Sequence, residues 1–183
     1  MKGTILIPIV APRVKVYVAK AMTGRTGLDL LTESAYTTIV ARRVAPSVRL
    51  LDPVVEEDIR PSEVPVKAPA RRLTKFWARD KEMIRDAHVL FDITGPKKSE
   101  GVAHEIGYAR FFLYKPVVRL WPGLQASVAR IEGDLIVETL EEGFKEIEAR
   151  WGTPGQRLWF KIALLRKVPK SFWYKLREWL NIF

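Results

Sequence analysis

The stretch VLFDITGPKKSEGVAHEIGYA, from Val89 to Ala109, constrains the fold more than any other part of the chain. A short apolar run ends in Asp92, and a loop rich in Gly, Pro, Lys and Ser follows. A helix then opens that keeps small residues at Gly101, Ala103, Gly107 and Ala109. Strand, phosphate-friendly loop and helix, in that order, is how open α/β sheets build sites at the carboxyl ends of their strands. The small residues allow close approach to a sheet or a ligand. Glu105, read as lying near the start of this helix, is expected to be held ionised by the macrodipole.

The same alternation runs through the rest of the chain. VKVYVAK, Val14 to Lys20, reads as a strand with AMTGRTG as its loop. Leu28 to Ala45 reads as a helix with apolar positions at Leu31, Ala35, Ile39 and Val40, closed by Pro46. VRLLDPV is a second strand. The segment from Pro53 to Ala70 carries Pro53, Pro61, Pro65 and Pro69 and reads as a long loop, of a length that marks either a lid or disorder. Arg72 to Ala87 reads as a helix, Val89 to Ile93 as a strand, and Ser99 to about Tyr114 as a helix. KPVVRLW and the short GDLIVET complete the strands, and LEEGFKEIEARW is a helix ending at Gly152. The opening MKGTILIPIVAPRVK, broken by Pro8, reads as an extra strand rather than a leader. The expected fold is α/β, flavodoxin- or Rossmann-like: a doubly wound, mainly parallel sheet of about five strands. It occupies residues 1–152, with a basic, Trp-rich helical tail over 153–183.

A chain of 183 residues can bury one substantial core, and 48% hydrophobic with 28% charged residues is an ordinary globular balance. The absence of cysteine excludes disulfides, a thiolate nucleophile and Cys-based zinc sites. His88 and His104 stand too far apart for a familiar ligand spacing, so neither a metal nor a cofactor is expected, although carboxylates could hold Mg²⁺. No uninterrupted apolar run is long enough to span a bilayer, and a cytoplasmic location is expected.

The net charge of +10 is concentrated at one end. From Trp151 onward, Arg157, Lys161, Arg166, Lys167, Lys170, Lys175 and Arg177 face Glu178 alone, a net +6 that leaves +4 for the body. Nucleic acid is therefore not an expected partner of the body. The tail also holds Trp151, Trp159, Trp173 and Trp179, and Ser171 can cap a helix that aligns Phe172, Leu176, Trp179 and Phe183. Such a face suits packing on the body or a partner subunit, contact with a membrane surface, or stacking on bases.

Within Arg72 to Ala87, the apolar positions Phe76, Trp77, Met83, Ile84 and Ala87 leave Asp80 in the middle of the stripe. Desolvation there raises a carboxyl pKa and makes it a better proton donor. Two carboxyl groups pushed in opposite directions, Asp80 up and Glu105 down, can divide acid and nucleophile roles. The structural alternative is an ion pair of Asp80 with Arg79 or Arg85. Asp92 suits either a sugar hydroxyl or a loop cap. Lys97 and Lys98 suit either a phosphate or a solvated loop tip.

Four segments, in order, resemble the nucleoside 2-deoxyribosyltransferase family, closest in pattern to the 2′-deoxynucleoside 5′-phosphate N-hydrolases. VYVAKAMTGR is similar to the first strand and the glycine-containing turn, here Gly24, that meets the sugar and its 5′ group. FWARDKEMIRDAHVLFDIT is similar to the helix with the base-contacting Asp and the strand after it. SEGVAHEIGYA matches the Ser-x-Gly-x-x-x-Glu-x-Gly-x-Ala signature, and KPVVRLW with ASVARIEG resembles the fourth strand and a segment that lends a Ser to a neighbouring subunit. The likeness covers roughly Val14 to Arg150.

The resemblance implies Glu105 as nucleophile, Asp80 as the group that handles the base, and Tyr17 as the residue that orients Glu105. It implies 5′-phosphate or 5′-hydroxyl contacts from Ser99, Gly101 and, across a homo-oligomer of two or more subunits, Ser127. Lys20 or Lys97 could add positive charge for a phosphate. Ser99 replaces the acidic residue typical of the transferases, which points to a nucleotide substrate. Two departures stand out: Lys20 occupies a position usually small in the family, and the Pro-rich loop and the tail have no counterpart. The implied reaction is cleavage of the N-glycosidic bond of a 2′-deoxynucleoside 5′-monophosphate through a covalent glycosyl-Glu105 intermediate. Base exchange by a deoxyribosyltransferase, or a non-catalytic nucleotide-binding sensor on the same fold, are the alternatives.

Overall fold

A computed structural model of the protein describes residues 14–22, 24–56, 70–95, 99–122 and 135–158. In chain order it contains β1 (Val14–Ala19), α1 (Gly27–Val44), β2 (Val48–Leu51), the one-turn α2 (Pro53–Glu56), α3 (Ala70–Asp86) and β3 (Val89–Asp92). These are followed by α4 (Glu100–Gly107), a π-helical turn (Tyr108–Phe112), β4 (Val117–Leu120), β5 (Leu135–Val137) and α5 (Leu140–Trp151). The strands form one five-stranded sheet in the order β2-β1-β3-β4-β5, every pairing parallel. The fold is thus the expected doubly wound α/β sheet. Its order reverses between β1 and β3, the place where such sheets open a crevice for ligands. The N-terminal strand expected before Val14, the Pro-rich loop over 57–69, Lys97, Lys98, Ser127 and the tail beyond Leu158 lie outside the described residues.

Period-two alternation sorts the side chains onto two faces. Val14, Val16, Val18, Val89, Phe91 and Val118 pack with Val40 and Ala41 of α1 and with Phe144, Ile147 and Trp151 of α5. On the opposite face, Tyr17, Ala19, Leu90 and Val117 pack with Ile84 of α3 and with Val102 of α4. Phe91 meets Phe144 edge-on at 5.1 Å between ring centres. A Cβ at Gly143 would lie 2.3 Å from the Phe91 ring, so close packing makes this α5 position a glycine. Among the described residues, a Cβ at Gly101 would meet only Ser99 Oγ, at 4.0 Å, and one at Gly107 would meet nothing within 4 Å, so neither glycine is required by close packing there.

Three local expectations change. α1 buries Leu30, Ser34, Thr37, Val40 and Ala41, whereas Ala35 and Ile39 face outward and Leu31 is only partly covered. A buried polar contact makes room for Ser34 on the inner side: the Lys20 ammonium at the end of β1 donates to Ser34 Oγ at 2.7 Å. VRLLDPV is a strand only to Leu51, because Asp52 Oδ1 accepts the Val54 amide at 3.0 Å and starts α2. The helix after Ser99 is α-helical for eight residues and then widens into the π turn, a feature often found beside functional sites.

Candidate active site

Three side chains that the sequence reading singled out converge on the α3/α4 face of the sheet, below its carboxyl edge. Tyr17, on β1, is fully buried. Asp80 lies on the inner stripe of α3 with Ile84, and Glu105 on the inner stripe of α4 between Val102 and Ala109; both carboxyl groups are buried. Trp77 joins the two helices, meeting His104 and Tyr108 edge-on at 6.4 and 5.9 Å. Phe76, counted in the apolar stripe, is exposed.

The Tyr17 hydroxyl lies close enough to both carboxyl groups for each to act on it, although it makes no hydrogen bond of normal geometry. Burial first, then the charges of Glu105 and Asp80, push its pKa well above the usual phenol value, so it stays a proton donor between two acids. Asp80 moves from 3.8 to about 6, chiefly because burial penalises the carboxylate, with Tyr17 and the Arg79 charge pulling weakly the other way. Asp80 Oδ1 is buried without a hydrogen-bond partner. The Arg79 guanidinium instead bonds the Glu56 carbonyl and stands 3.9 Å from the Glu56 carboxylate. The desolvated acid read from the helix stripe is therefore present, and the structural ion pair with Arg79 is not.

The macrodipole argument for Glu105 does not carry over. Ser99 caps α4, its Oγ accepting the Val102 amide at 3.5 Å, so Glu105 stands six residues into the helix, beyond the first turn where the dipole acts. Burial beside Tyr17 sets its surroundings instead.

Other expected site residues have structural duties. Lys20 is buried, with its ammonium 2.7 Å from Asp52 and bonded to Ser34; it ties β1, α1 and the end of β2 together and also lines a depression at the switch point of the sheet. Asp92 uses one carboxylate oxygen to accept the Thr94 amide at 2.9 Å and the other to meet Arg119 Nε at 3.3 Å, which is the loop-cap reading. Ser99 and Gly101 sit at the α4 N-terminus, and Gly24 takes φ +76° in the turn after β1. Ser127 lies outside the described residues.

At the switch point between β1 and β3 a small depression of about 110 Å³ is lined by Lys20, Ala21, Arg25, Glu33, Ile93 and Thr94. It opens on the α1 side of the edge, and neither carboxyl group lines it. Arg25, held by Glu33 at 2.8 Å, is the cation that lines it beside the buried Lys20. The sequence reading passed it over, although a basic residue inside a glycine-bearing loop after the first strand was a usable signal. Among the described residues no cluster of three or more metal-ligating side chains occurs, and no helix is long and apolar enough to cross a membrane.

No protein-family model matches the chain, and no curated protein matches it in sequence. Solved structures do. A 2-deoxyribosyltransferase from Bacillus psychrosaccharolyticus superposes with a TM-score of 0.51 at 23% identity, over 70% of this chain and 89% of that one. A conserved protein from Enterococcus faecalis V583 superposes at 0.53 and 19% identity, over 75% and 99%. A CMP N-glycosidase from Clostridium botulinum is more distant, at 0.43 and 14% over 74% and 98%. The parallel sheet of order 2-1-3-4-5, with helices on both faces, is in this chain the nucleoside deoxyribosyltransferase-like fold.

Proposed function

We propose that the protein breaks the N-glycosidic bond of a nucleoside 5′-monophosphate, 2′-deoxy in its sugar, with Glu105 as nucleophile and Asp80 as the acid that protonates the departing base. The observation that carries this reading is the burial of Asp80 and Glu105, from two different helices, around one Tyr17 hydroxyl. A fold bears the cost of two desolvated carboxyl groups where reactivity needs them. The Glu105 carboxylate attacks the anomeric carbon as the C–N bond breaks, and Asp80 delivers its proton to the leaving base. Tyr17, kept protonated, has one proton to offer the neighbouring carboxylates and steadies Glu105 when it turns that proton toward it. Water then releases the sugar from Glu105; a second base taking its place would make the same enzyme a transferase.

The 5′-phosphate is assigned to the edge of the sheet, where Ser99 and Gly101 open the α4 N-terminus and Arg25 and Thr94 line the switch-point depression. Ser127 completes the anion site from a neighbouring subunit, which makes the working form at least a symmetric dimer. The tail beyond Gly152 serves docking, not chemistry.

Incubation with a panel of nucleosides and their 5′-monophosphates, followed by chromatography for free base, tests the reading. Base release from monophosphates in preference to nucleosides is expected. Saturable monophosphate binding with no base release from any substrate would show a sensor instead of an enzyme.

A further inference from the structure

Arg119 has no part in the chemistry described so far, yet it occupies an unusual position. It sits on β4, an interior strand, on the same face as Tyr17. Strand register places Ala19, Asp92 and Arg119 side by side in one row at the carboxyl edge, directly above the Tyr17–Leu90–Val117 row. The guanidinium meets Asp92 at 3.3 Å and lies over the Trp121 ring, 5.2 Å from its centre. Asp92 is almost fully buried while Arg119 is about a quarter exposed, so the pair stands half in the sheet and half at its rim. Asp92 also holds the Thr94 amide, and Thr94 lines the depression beside Arg25.

We propose that Arg119 is a specificity residue for an anionic substrate, acting through Asp92. Asp80, Asp92 and Glu105 together put three carboxyl groups on or beside this face. An uncompensated charge on Asp92 would repel an incoming phosphate across a poorly solvated rim, whereas a neutral nucleoside would not feel it. Arg119 cancels that charge, and Trp121 keeps the guanidinium plane from swinging to solvent. The pair thereby makes a carboxylate-rich edge tolerant of a nucleotide.

This inference rests on the proposed nucleotide substrate, and binding to a Glu105→Gln background, which cannot turn over, tests it separately from catalysis. Calorimetry would compare the four deoxynucleoside 5′-monophosphates with the matching deoxynucleosides. Adding Arg119→Gln should weaken monophosphate binding roughly tenfold or more and leave nucleoside binding nearly unchanged, the loss shrinking as ionic strength rises. Arg119→Lys should recover most of the affinity, and Asp92→Asn combined with Arg119→Gln should recover it as well by removing the charge to be cancelled. Equal weakening of both ligand classes, or no recovery in the double variant, would overturn the inference while leaving the proposed reaction standing. Failure of the Glu105→Gln protein to bind either class would remove both. Should Arg119→Gln fail to fold, the Arg119→Lys and double variants decide on the same readouts.

Discussion

The carboxyl edge of the sheet buries charge on both of its faces, and the two sides handle it in opposite ways. On the α1 side, Lys20 and Asp52 are both buried and bonded to one another at 2.7 Å, with Ser34 taking a further ammonium proton. On the α3/α4 side, Asp80 and Glu105 are buried to a similar degree around Tyr17, with Asp80 pushed up to about 6 and one of its oxygens unbonded. The first is charge paired for architecture; on the proposed function, the second is charge held for reactivity at the expense of stability. Charge buried to a similar depth thus takes different forms, and the groups it meets, not burial, separate them.

The largest expected effect is on catalysis. Glu105→Gln should lower base release by roughly three orders of magnitude or more in a protein that still folds, because the nucleophile is lost. Turnover near normal in a folded Glu105→Gln protein would erase the distinction between the two sides.

On the opposite side the effect should fall on stability alone. Lys20→Ala strands the buried Asp52 and should cost about 3–5 kcal/mol, read from urea unfolding. The ratio of monophosphate to nucleoside turnover should not change. A selective loss of monophosphate turnover would show Lys20 to be a phosphate ligand after all.

Asp80→Asn sharpens the comparison, since it should move rate and stability in opposite directions. A carboxyl group at about 6 in the fold and 3.8 in the unfolded chain holds its extra proton only when folded. Its contribution to stability is therefore greatest in acid and is lost as pH rises from about 4 to about 6. The wild-type protein should lose on the order of 3 kcal/mol relative to Asp80→Asn between pH 4 and pH 7, an upper figure set by the size of the shift. Turnover should fall in Asp80→Asn, most for bases that leave poorly without a proton. A variant whose stability keeps the wild-type pH profile would place the raised pKa on another group.

How far the site was legible depended on the kind of signal. Asp80 was readable because a helix stripe has a period, and a polar residue between Trp77 and Ile84 breaks it visibly. Tyr17 and Glu105 came through the resemblance of their segments, and the fold places both beside Asp80. The dipole assigned to Glu105 failed although the helix start at Ser99 was legible, because six residues in lies beyond the first turn where the dipole acts. The buried face of α1 was misread for a different reason: hydropathy ranks Ile39 above Ser34, and nothing local shows that an ammonium waits across the interface.

The sequence by itself determined the order of the strands and the longer helices, the parallel sheet, and the inner stripe that holds Asp80, because periodicity and turn chemistry are local properties of the chain. Only the tertiary structure decided which charges are paired. Lys20 meets Asp52, and Asp92 meets Arg119, across gaps of 32 and 27 residues, while among the described residues Asp80 gains no such counter-ion. Coulomb energy and desolvation depend on distance in space, which local patterning does not encode. That spatial pairing makes Lys20 a strut between β1, α1 and the end of β2 as well as part of the lining of the switch-point depression.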